Sequence, residues 1–324
     1  MTEPLDPRRA LVADAACAPS SHNTQPWRFR LTDDAIELHA DRTRRLPVND
    51  PHDRELIISC GAALANLVVS AAHHGLTPAV DLQRGDDPDD LATVTLTAGE
   101  LTGDDRLWRA VRTRRTQRKP FLDRAVPEDL LASAVAAADR PAVWTHVLDA
   151  SHRAAFVDLV ATGDHVQFED PNWRRELAAW LRPRRRGDGL PVPVATGAMT
   201  RFMVTHVDLG RRMGKSDATL AATAPAVIVL GTERDDPMSW IETGRALQQL
   251  LLTAAAEGVQ AGYLNQPCQV DALRPRLAAL IDRPHPQVVL RLGYPARPIP
   301  PPARRPLGNV IDAPVHLDDV RAVP

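Results

Sequence analysis

The feature that most constrains the fold is an internal repeat. The run Gly61-Ala-Ala-Leu-Ala-Asn-Leu-Val-Val-Ser-Ala-Ala-His-His-Gly75 aligns without a gap on Gly244-Arg-Ala-Leu-Gln-Gln-Leu-Leu-Leu-Thr-Ala-Ala-Ala-Glu-Gly258. Both runs are apolar on nearly every side, as a helix buried on most faces must be. Each ends at a glycine, the residue that tolerates the left-handed helix stop. Small residues in both would let the two helices pack closely together.

The flanks repeat in the same order. Strand-like runs at Trp27–Leu31 and Ala35–Ala40 precede the first helix, and Pro78–Leu82 and Ala92–Thr97 follow it. Around the second helix the counterparts are Val143–Leu148, Ala226–Gly231, Gln260–Asn265 and Gln287–Gly293, marked by β-branched or alternating composition. The distance from first strand to helix is much longer in the second copy. An insertion at about residues 150–222 accounts for it, and a stretch that long is expected to be helical and to have a task such as a lid. The chain therefore reads as an α+β protein of two fused half-units with mainly antiparallel sheets flanked by helices. The halves span residues 1–104 and 105–324, the second carrying the insertion and a C-terminal arm over 294–324.

Composition removes several function classes. Lys+Arg 39 against Asp+Glu 41 gives a net charge of −2, so no global field draws the chain to nucleic acid or anionic lipid. Its apolar runs read as too short and interrupted for a membrane span. The start, MTEPLDPRR, shows no apolar signal region, so the expectation is a cytoplasmic protein. Cys17, Cys60 and Cys268 lack the spacing of a disulfide framework or zinc knuckle. His73-His74 has no partner at i+4, so no metal is expected. All basic residues but Lys119 and Lys215 are arginine, a bias that a GC-rich genome explains, so each arginine must be judged by position. That applies to the Arg182–Arg186 run, which lacks the interleaved aromatics of a nucleic-acid surface. Gly-x-Gly-x-x-Gly, Walker and Gly-x-Ser-x-Gly motifs are absent from the sequence.

The richest chemistry lies in Ala18-Pro-Ser-Ser-His-Asn-Thr-Gln-Pro-Trp-Arg-Phe29, between a helix at Arg8–Cys17 and a strand. Two hydroxyls, two carboxamides and an imidazole can meet a polyol, a phosphate or a heterocycle with alternating donor and acceptor edges. A polar Asx-type turn would use the same residues.

Pro19–Trp27 resembles the Pro-Ser-Ser-x-Asn-x-Gln-Pro-Trp signature of the nitroreductase-like FMN proteins. With the duplication and the insertion, the chain resembles the Acg branch, single chains that imitate the usual homodimer. A second element, Arg112-Thr-Arg-Arg-Thr-Gln-Arg-Lys-Pro-Phe121 followed by Val126-Pro-Glu-Asp-Leu130, is similar to the family's arginine loop. The resemblance implies an FMN oxidoreductase passing hydride through flavin N5 to a small-molecule acceptor, with NADPH or NADH as donor. It assigns Ser20, Ser21, Asn23 and Gln25 to the flavin, and Arg114, Arg115, Thr116 and Arg118 to phosphate and ribityl. Leu264, Asn265 and Gln266 would pass over the ring, and Arg304 and Arg305 of the stiff Pro298–Pro306 arm would reach the phosphate. His22 is the one acid/base candidate, though it equally reads as a loop histidine bonding backbone or ribityl. One intact motif lies in each half, which is enough for one FMN per chain.

Branch members also include flavin holders with little turnover, so sequestration is the alternative function. The insertion would then be the lid, with Gly187-Asp-Gly189 as hinge and Trp173 and Trp180 sealing the site or simply filling the insertion's own core. The resemblance leaves open a monomeric pseudo-dimer or a homodimer.

Overall fold

Two helices that are nearly identical in sequence pattern cross at the centre of the molecule, each between the second and third strand of its own sheet. In the computed structural model the described residues are 6–82, 87–101, 103–183 and 186–312. The first half runs α1 (Pro7–Ala15), β1 (Trp27–Leu31), β2 (Ala35–Ala40), α2 (Arg54–His73), β3 (Leu76–Asp81) and β4 (Asp90–Ala98). Then come α3 (Asp105–Thr113), α4 (Glu128–Ala137) and β5 (Val143–Val147). The excursion follows as α5 (Arg153–Glu169), α6 (Pro171–Trp180), β6 (Leu181–Arg182), β7 (Leu190–Pro191), α7 (Gly197–His206) and α8 (Gly210–Ala222). The chain closes with β8 (Ala226–Thr232), α9 (Pro237–Ala256), β9 (Gln260–Tyr263), α10 (Gln266–Gln269), α11 (Arg274–Ile281) and β10 (Pro286–Gly293).

The sheets share one winding. Their orders are β1-β2-β4-β3 and β5-β8-β10-β9, all antiparallel, so the fourth strand of each half lies between its second and third. Both central pairings carry a register shift, at Leu38/His39 in one and Pro286/Val288 in the other. Strand ends differ from the sequence reading by one or two residues, mainly because edge pairing continues past the apolar run, as at Leu76↔Ala98.

Local chemistry sets the helix ends. Asp6 caps α1 by accepting from Arg8 N–H, with Pro7 at the first position. Asp236 caps α9 through Ser239 N–H, again ahead of a proline. Gly75 and Gly258, the repeat's terminal glycines, have φ of +71° and +79°, the conformation that glycine adopts without a Cβ penalty.

The crossing of α2 and α9 depends on the repeat's other glycines. A Cβ on Gly61 would stand 2.1 Å from Ile241 O, and one on Gly244 2.0 Å from Ile58 O. The Cβ position of Gly61 is only 3.0 Å from Gly244 Cα, so equivalent residues of the two copies meet backbone to backbone. Below them Gln248 Nε2 donates to Asn66 Oδ1 at 2.6 Å, both residues fully buried. Among the described residues α2 is long and apolar enough to cross a bilayer, contrary to the sequence expectation, but 83% of its apolar window is buried inside the fold. An apolar core helix meets the same length and composition test.

The two sheets are covered unequally. Burial alternates along β1 and β3, so one face of the first sheet is wet, while α1 and α2 cover the other. Every residue of β8 and β10 is buried. One face of the second sheet packs on α4 and α9. The other carries Phe156, Leu159 and Val160 of α5, Ala221 of α8 and Leu277 of α11. The excursion is thus helical and supplies a missing layer, which explains the continuous apolar runs of β8 and β10.

Candidate functional site

After α1 the chain makes a tight 3-10 turn at Ser21–Asn23 and enters β1 at the fully buried Trp27. His22, Asn23 and Gln25 all have positive φ, at 49°, 55° and 53°. Non-glycine residues there cost on the order of 1–3 kcal/mol each and persist where the surroundings over-determine them. Here Ser20 Oγ accepts from Gln25 N–H at 2.9 Å, and both carboxamides are held at each end.

Asn23 Nδ2 donates to Gly189 O at 3.2 Å and Ala303 O at 3.1 Å, and Asn23 Oδ1 accepts from Arg304 Nη1 at 2.6 Å. Gln25 Nε2 donates to Gly187 O at 2.8 Å, and its Oε1 accepts from Arg305 N–H at 2.9 Å. Three remote segments therefore close on this turn: residues 187–189 of the excursion, residues 303–305 of the arm, and the turn itself. A Cβ on Gly187, whose φ is +81°, would lie 2.6 Å from Arg304 O, so the closure requires glycine there. Asp188 fixes the excursion side through ion pairs with Arg44 and with Arg182, the latter at 2.7 Å. Burial raises the Asp188 carboxyl's pKa, but its hydrogen bonds to Arg44 and Arg182 leave it lowered on balance.

The arginines gather beside this turn. Cys17 O, just past α1, accepts from both Arg114 Nη2 at 3.2 Å and Arg304 Nη2 at 2.7 Å. Arg304 also reaches Ala18 O at 3.0 Å. Burial, and secondly the Arg114 charge, push Arg304 down to about 10. Burial likewise lowers Arg114 and Arg115, and the packing around Arg118 lowers it as well, although the residue is exposed at the surface. Among the described residues none of these four forms an ion pair, whereas Arg44, Arg112, Arg182 and Arg305 each do. The Nε atoms of Arg114 and Arg115 are buried with no hydrogen-bond partner. Desolvated guanidinium groups without a counter-charge make an anion-holding arrangement.

Titration at the site follows from burial. His22 is driven down to about 4 by burial and then by the Arg118 charge, and its Nδ1 has no partner. At neutral pH His22 is therefore an uncharged imidazole that can hold a hydrogen bond but does not carry the charge of an imidazolium acid. Burial raises Tyr263 to about 12 against the opposing pull of Arg114, and its hydroxyl is also unpartnered.

The structure brings Ser20, Ser21, His22, Asn23, Gln25, Arg114, Arg118, Arg304 and Arg305 together and sets Arg115 alongside, where its N–H donates to Gln260 Oε1 at 2.6 Å. Thr116 joins through a backbone bridge to Ala261. The 264–266 segment divides. Leu264 is packed into the core, Asn265 Nδ2 donates to Glu55 Oε1 at 3.2 Å, and Gln266 turns to Asp164 at 3.1 Å and Asp217 at 2.8 Å. Arg184 and Arg185 of the basic run, and residues 313–324 of the arm, lie outside the described residues.

Glu55 went unnoticed in sequence. Buried at the start of α2, it accepts from Ser21 Oγ, Asn265 Nδ2 and Gln269 Nε2, joining the serine turn of one half to the 265–269 segment of the other. Its position at the head of an apolar helix was the available signal. Trp173 and Trp180 are both buried. Trp173 Nε1 donates to Asn49 Oδ1 at 2.9 Å, and Glu176 accepts from Val48 and Asn49 N–H, so α6 is bound to the first half. Trp180 is flanked by the Arg44 and Arg182 guanidinium groups. Cavities of about 230 and 340 Å³ lie elsewhere, the first between α5 and α8 and the second lined by Ile57, Leu91 and Met238.

The serine–amide turn after α1 and the arginine loop after α3 thus lie side by side, both bonded to Cys17 O or to the segments that close on it. The chain belongs to the nitroreductase family, whose sequence model matches residues 111–294. Among its relatives is Rv3131 of Mycobacterium tuberculosis, named for the NAD(P)H nitroreductases. It is 32% identical over 320 residues, covering 95% of this chain and 92% of that protein. The acg protein of the same organism, named likewise, is 29% identical over 93% of this chain and 94% of its own. Uncharacterised Rv3127 is 29% identical over 91% and 90%. A solved structure, the FMN and NADPH-dependent nitroreductase NfnB of sphigopyxis sp. strain HMH, is 22% identical. It covers 64% of this chain and 98% of that one, with a TM-score of 0.45.

Proposed function

We propose that the chain is an FMN-binding oxidoreductase of nitroreductase type, built as two half-units over residues 1–104 and 105–324 with one flavin site per chain. What carries the reading is the set of four arginines, 114, 115, 118 and 304, gathered beside the Ser20–Gln25 turn without carboxylate partners among the described residues. That set fits the dianionic phosphate of FMN, and the two orphaned Nε atoms are the groups a phosphate would satisfy.

FMN, when bound, supplies hydride transfer at its N5. Arg114 and Arg304 hold the phosphate, with Arg115 and Arg118 at its margin. Thr116 fixes the arginine loop to β9 through Ala261. Ser20 holds the turn, and Ser21 with Glu55 and Asn265 sets the distance between the turn and the 264–266 backbone. Neutral His22 and protonated Tyr263 offer hydrogen bonds at the site. NADPH or NADH is the proposed donor. The acceptor is a small molecule, a nitroaromatic, quinone, enone or natural product. We place the activity in the cytoplasm, in a monomeric pseudo-dimer or a homodimer, without nucleic-acid or membrane partners.

One observation favours a second reading, a flavin holder with little turnover. Residues 187–189 are hydrogen-bonded onto Asn23 and Gln25, so the excursion bears directly on the motif. Anaerobic stopped-flow of the FMN-loaded protein with NADPH and NADH separates the two. Saturable bleaching within seconds is expected of the enzyme. Bleaching by dithionite alone would replace it with the holder.

A further inference from the structure

A second cluster of chemically capable side chains lies away from the flavin cradle, where the chain leaves β5 for the excursion. His146 is the fourth residue of β5, and Asp149 and His152 follow at intervals of three in His146-Val-Leu-Asp149-Ala-Ser-His152. The 150–152 turn, closed by His152 N–H to Asp149 O at 3.2 Å, brings the last two to the side where His146 stands. One ligand atom from each lies within 4.8 Å of the others, with His152 Nδ1 at 3.9 Å from Asp149 Oδ2.

A second observation singles the cluster out. His146 Nε2 and His152 Nδ1 are each hidden from water and have no hydrogen-bond partner among the described residues, although both residues are only partly buried. Two unsatisfied imidazole nitrogens on residues of one such cluster are a costly arrangement that a cation would relieve. From these observations we propose that His146, Asp149 and His152 form a binding site for a borderline divalent transition-metal ion, with Zn²⁺ as its type. Two imidazoles and one carboxylate suit zinc, and leave a fourth position for water. Calcium and magnesium require oxygen-rich shells. Zinc–ligand bonds of about 2.0–2.2 Å demand donors about 3.3 Å apart. The partly exposed side chains can close that gap by small rotations. Arg283 also faces His146 and opposes the ion's charge, which sets the affinity below that of a structural zinc centre.

The metal would clip the start of α5 to the edge strand of the second sheet, at the root of the segment that reaches the flavin turn. Nothing in this depends on the flavin reading. The sequence expectation of no metal rests on the three cysteines and on His73-His74, and the His146–His152 spacing is not among the patterns it weighs.

The test is calorimetric titration of untagged, chelator-treated, full-length protein with Zn²⁺, since the chain has 11 histidines and a tag would add more. One Zn²⁺ per chain is expected, with a raised thermal midpoint. His146→Ala and His152→Ala should each weaken binding by about tenfold or more, the scale of loss known even for outer-shell partners. Asp149→Asn, at an exposed position, should do the same with the metal-free midpoint unchanged, so that folding defects cannot imitate the result. Cobalt(II) should give the visible absorption of a four- or five-coordinate ion in wild type alone. Unchanged affinity and stoichiometry in the His146→Ala/His152→Ala double variant, or no saturable binding by wild type, would overturn the site.

Discussion

Asn23 and Gly189 close a reciprocal pair of hydrogen bonds, Gly189 N–H to Asn23 O and Asn23 Nδ2 to Gly189 O, both at 3.2 Å. They are separated by 166 positions. The contact locks the excursion onto the turn that carries the family motif, and Gly187 and Gly189 both need positive φ to make it. Gly187→Ala puts a Cβ 2.6 Å from Arg304 O in a backbone region that disfavours alanine. We expect limited trypsin digestion after Arg186 to accelerate about tenfold, since opening costs of 1–3 kcal/mol are being removed. Equal cleavage rates would mean that the loop is already open in solution.

Arg304 joins the arm to both the turn and the end of α1. Arg304→Ala should weaken FMN binding by about tenfold to a hundredfold, the range for a hydrogen bond to a charged group. Arg304→Lys should recover only part, because it keeps the charge and loses the fork. Fluorescence titration reads both, and an alanine variant with wild-type affinity would place the phosphate elsewhere.

At the helix crossing, Gly61→Ala and Gly244→Ala each drive a methyl into a backbone carbonyl. Helix propensity alone would reward the change by about 1 kcal/mol. Overpacking costs of about 1–3 kcal/mol oppose it, and here the obstructing atoms are backbone that cannot rotate away. Net destabilisation in denaturant melts is the expected outcome for both, and stabilisation of either would refute the close approach.

Much of this frame was legible in the sequence because repetition and periodicity are local. The Gly61 and Gly244 helices, the eight principal strands and the helical excursion all follow from runs of adjacent residues. The site was legible only where a contiguous motif carried it, at Pro19–Trp27 and Arg112–Phe121. What Asn23 and Gln25 touch was not, because Gly187, Gly189, Ala303 and Arg305 reach them from remote parts of the chain. Glu55 looks like an ordinary first-turn acid until the fold sets Ser21 and Gln269 against it. Gln266 sits within a motif-like run, yet its amide is claimed by Asp164 and Asp217 of the excursion, a pairing no local pattern encodes.

That pairing has a pH signature. Burial, with the Asp217 charge adding to it, raises Asp164 to about 7 from 3.8. A folded pKa above the unfolded value means the fold binds the extra proton, so its stabilising contribution is present at low pH and lost as pH rises through about 7. Asp164→Asn keeps an oxygen for Gln266 and removes that loss. Its thermal midpoint relative to wild type should therefore rise between pH 6 and about pH 8. A pH-independent difference would contradict the burial of this charge.

His22 works in the opposite sense. Its folded pKa of about 4 lies below the unfolded 6.5, so the unfolded chain takes up the proton first and stability from this group falls as pH drops from 6.5 towards 4. His22→Gln should flatten that part of the stability profile. It should leave the pH dependence of flavin reduction above pH 6 unchanged, whereas loss of an ionisation near neutrality would restore His22 as the acid.

The proposed function rests on one flavin site assembled from both halves. Equilibrium titration of the full-length chain with FMN, read by flavin fluorescence and by absorbance after gel filtration, tests it most directly. One FMN per chain is expected, lost when either Arg114 or Asn23 is replaced by alanine. Two FMN per chain, or one that survives both replacements, would contradict it.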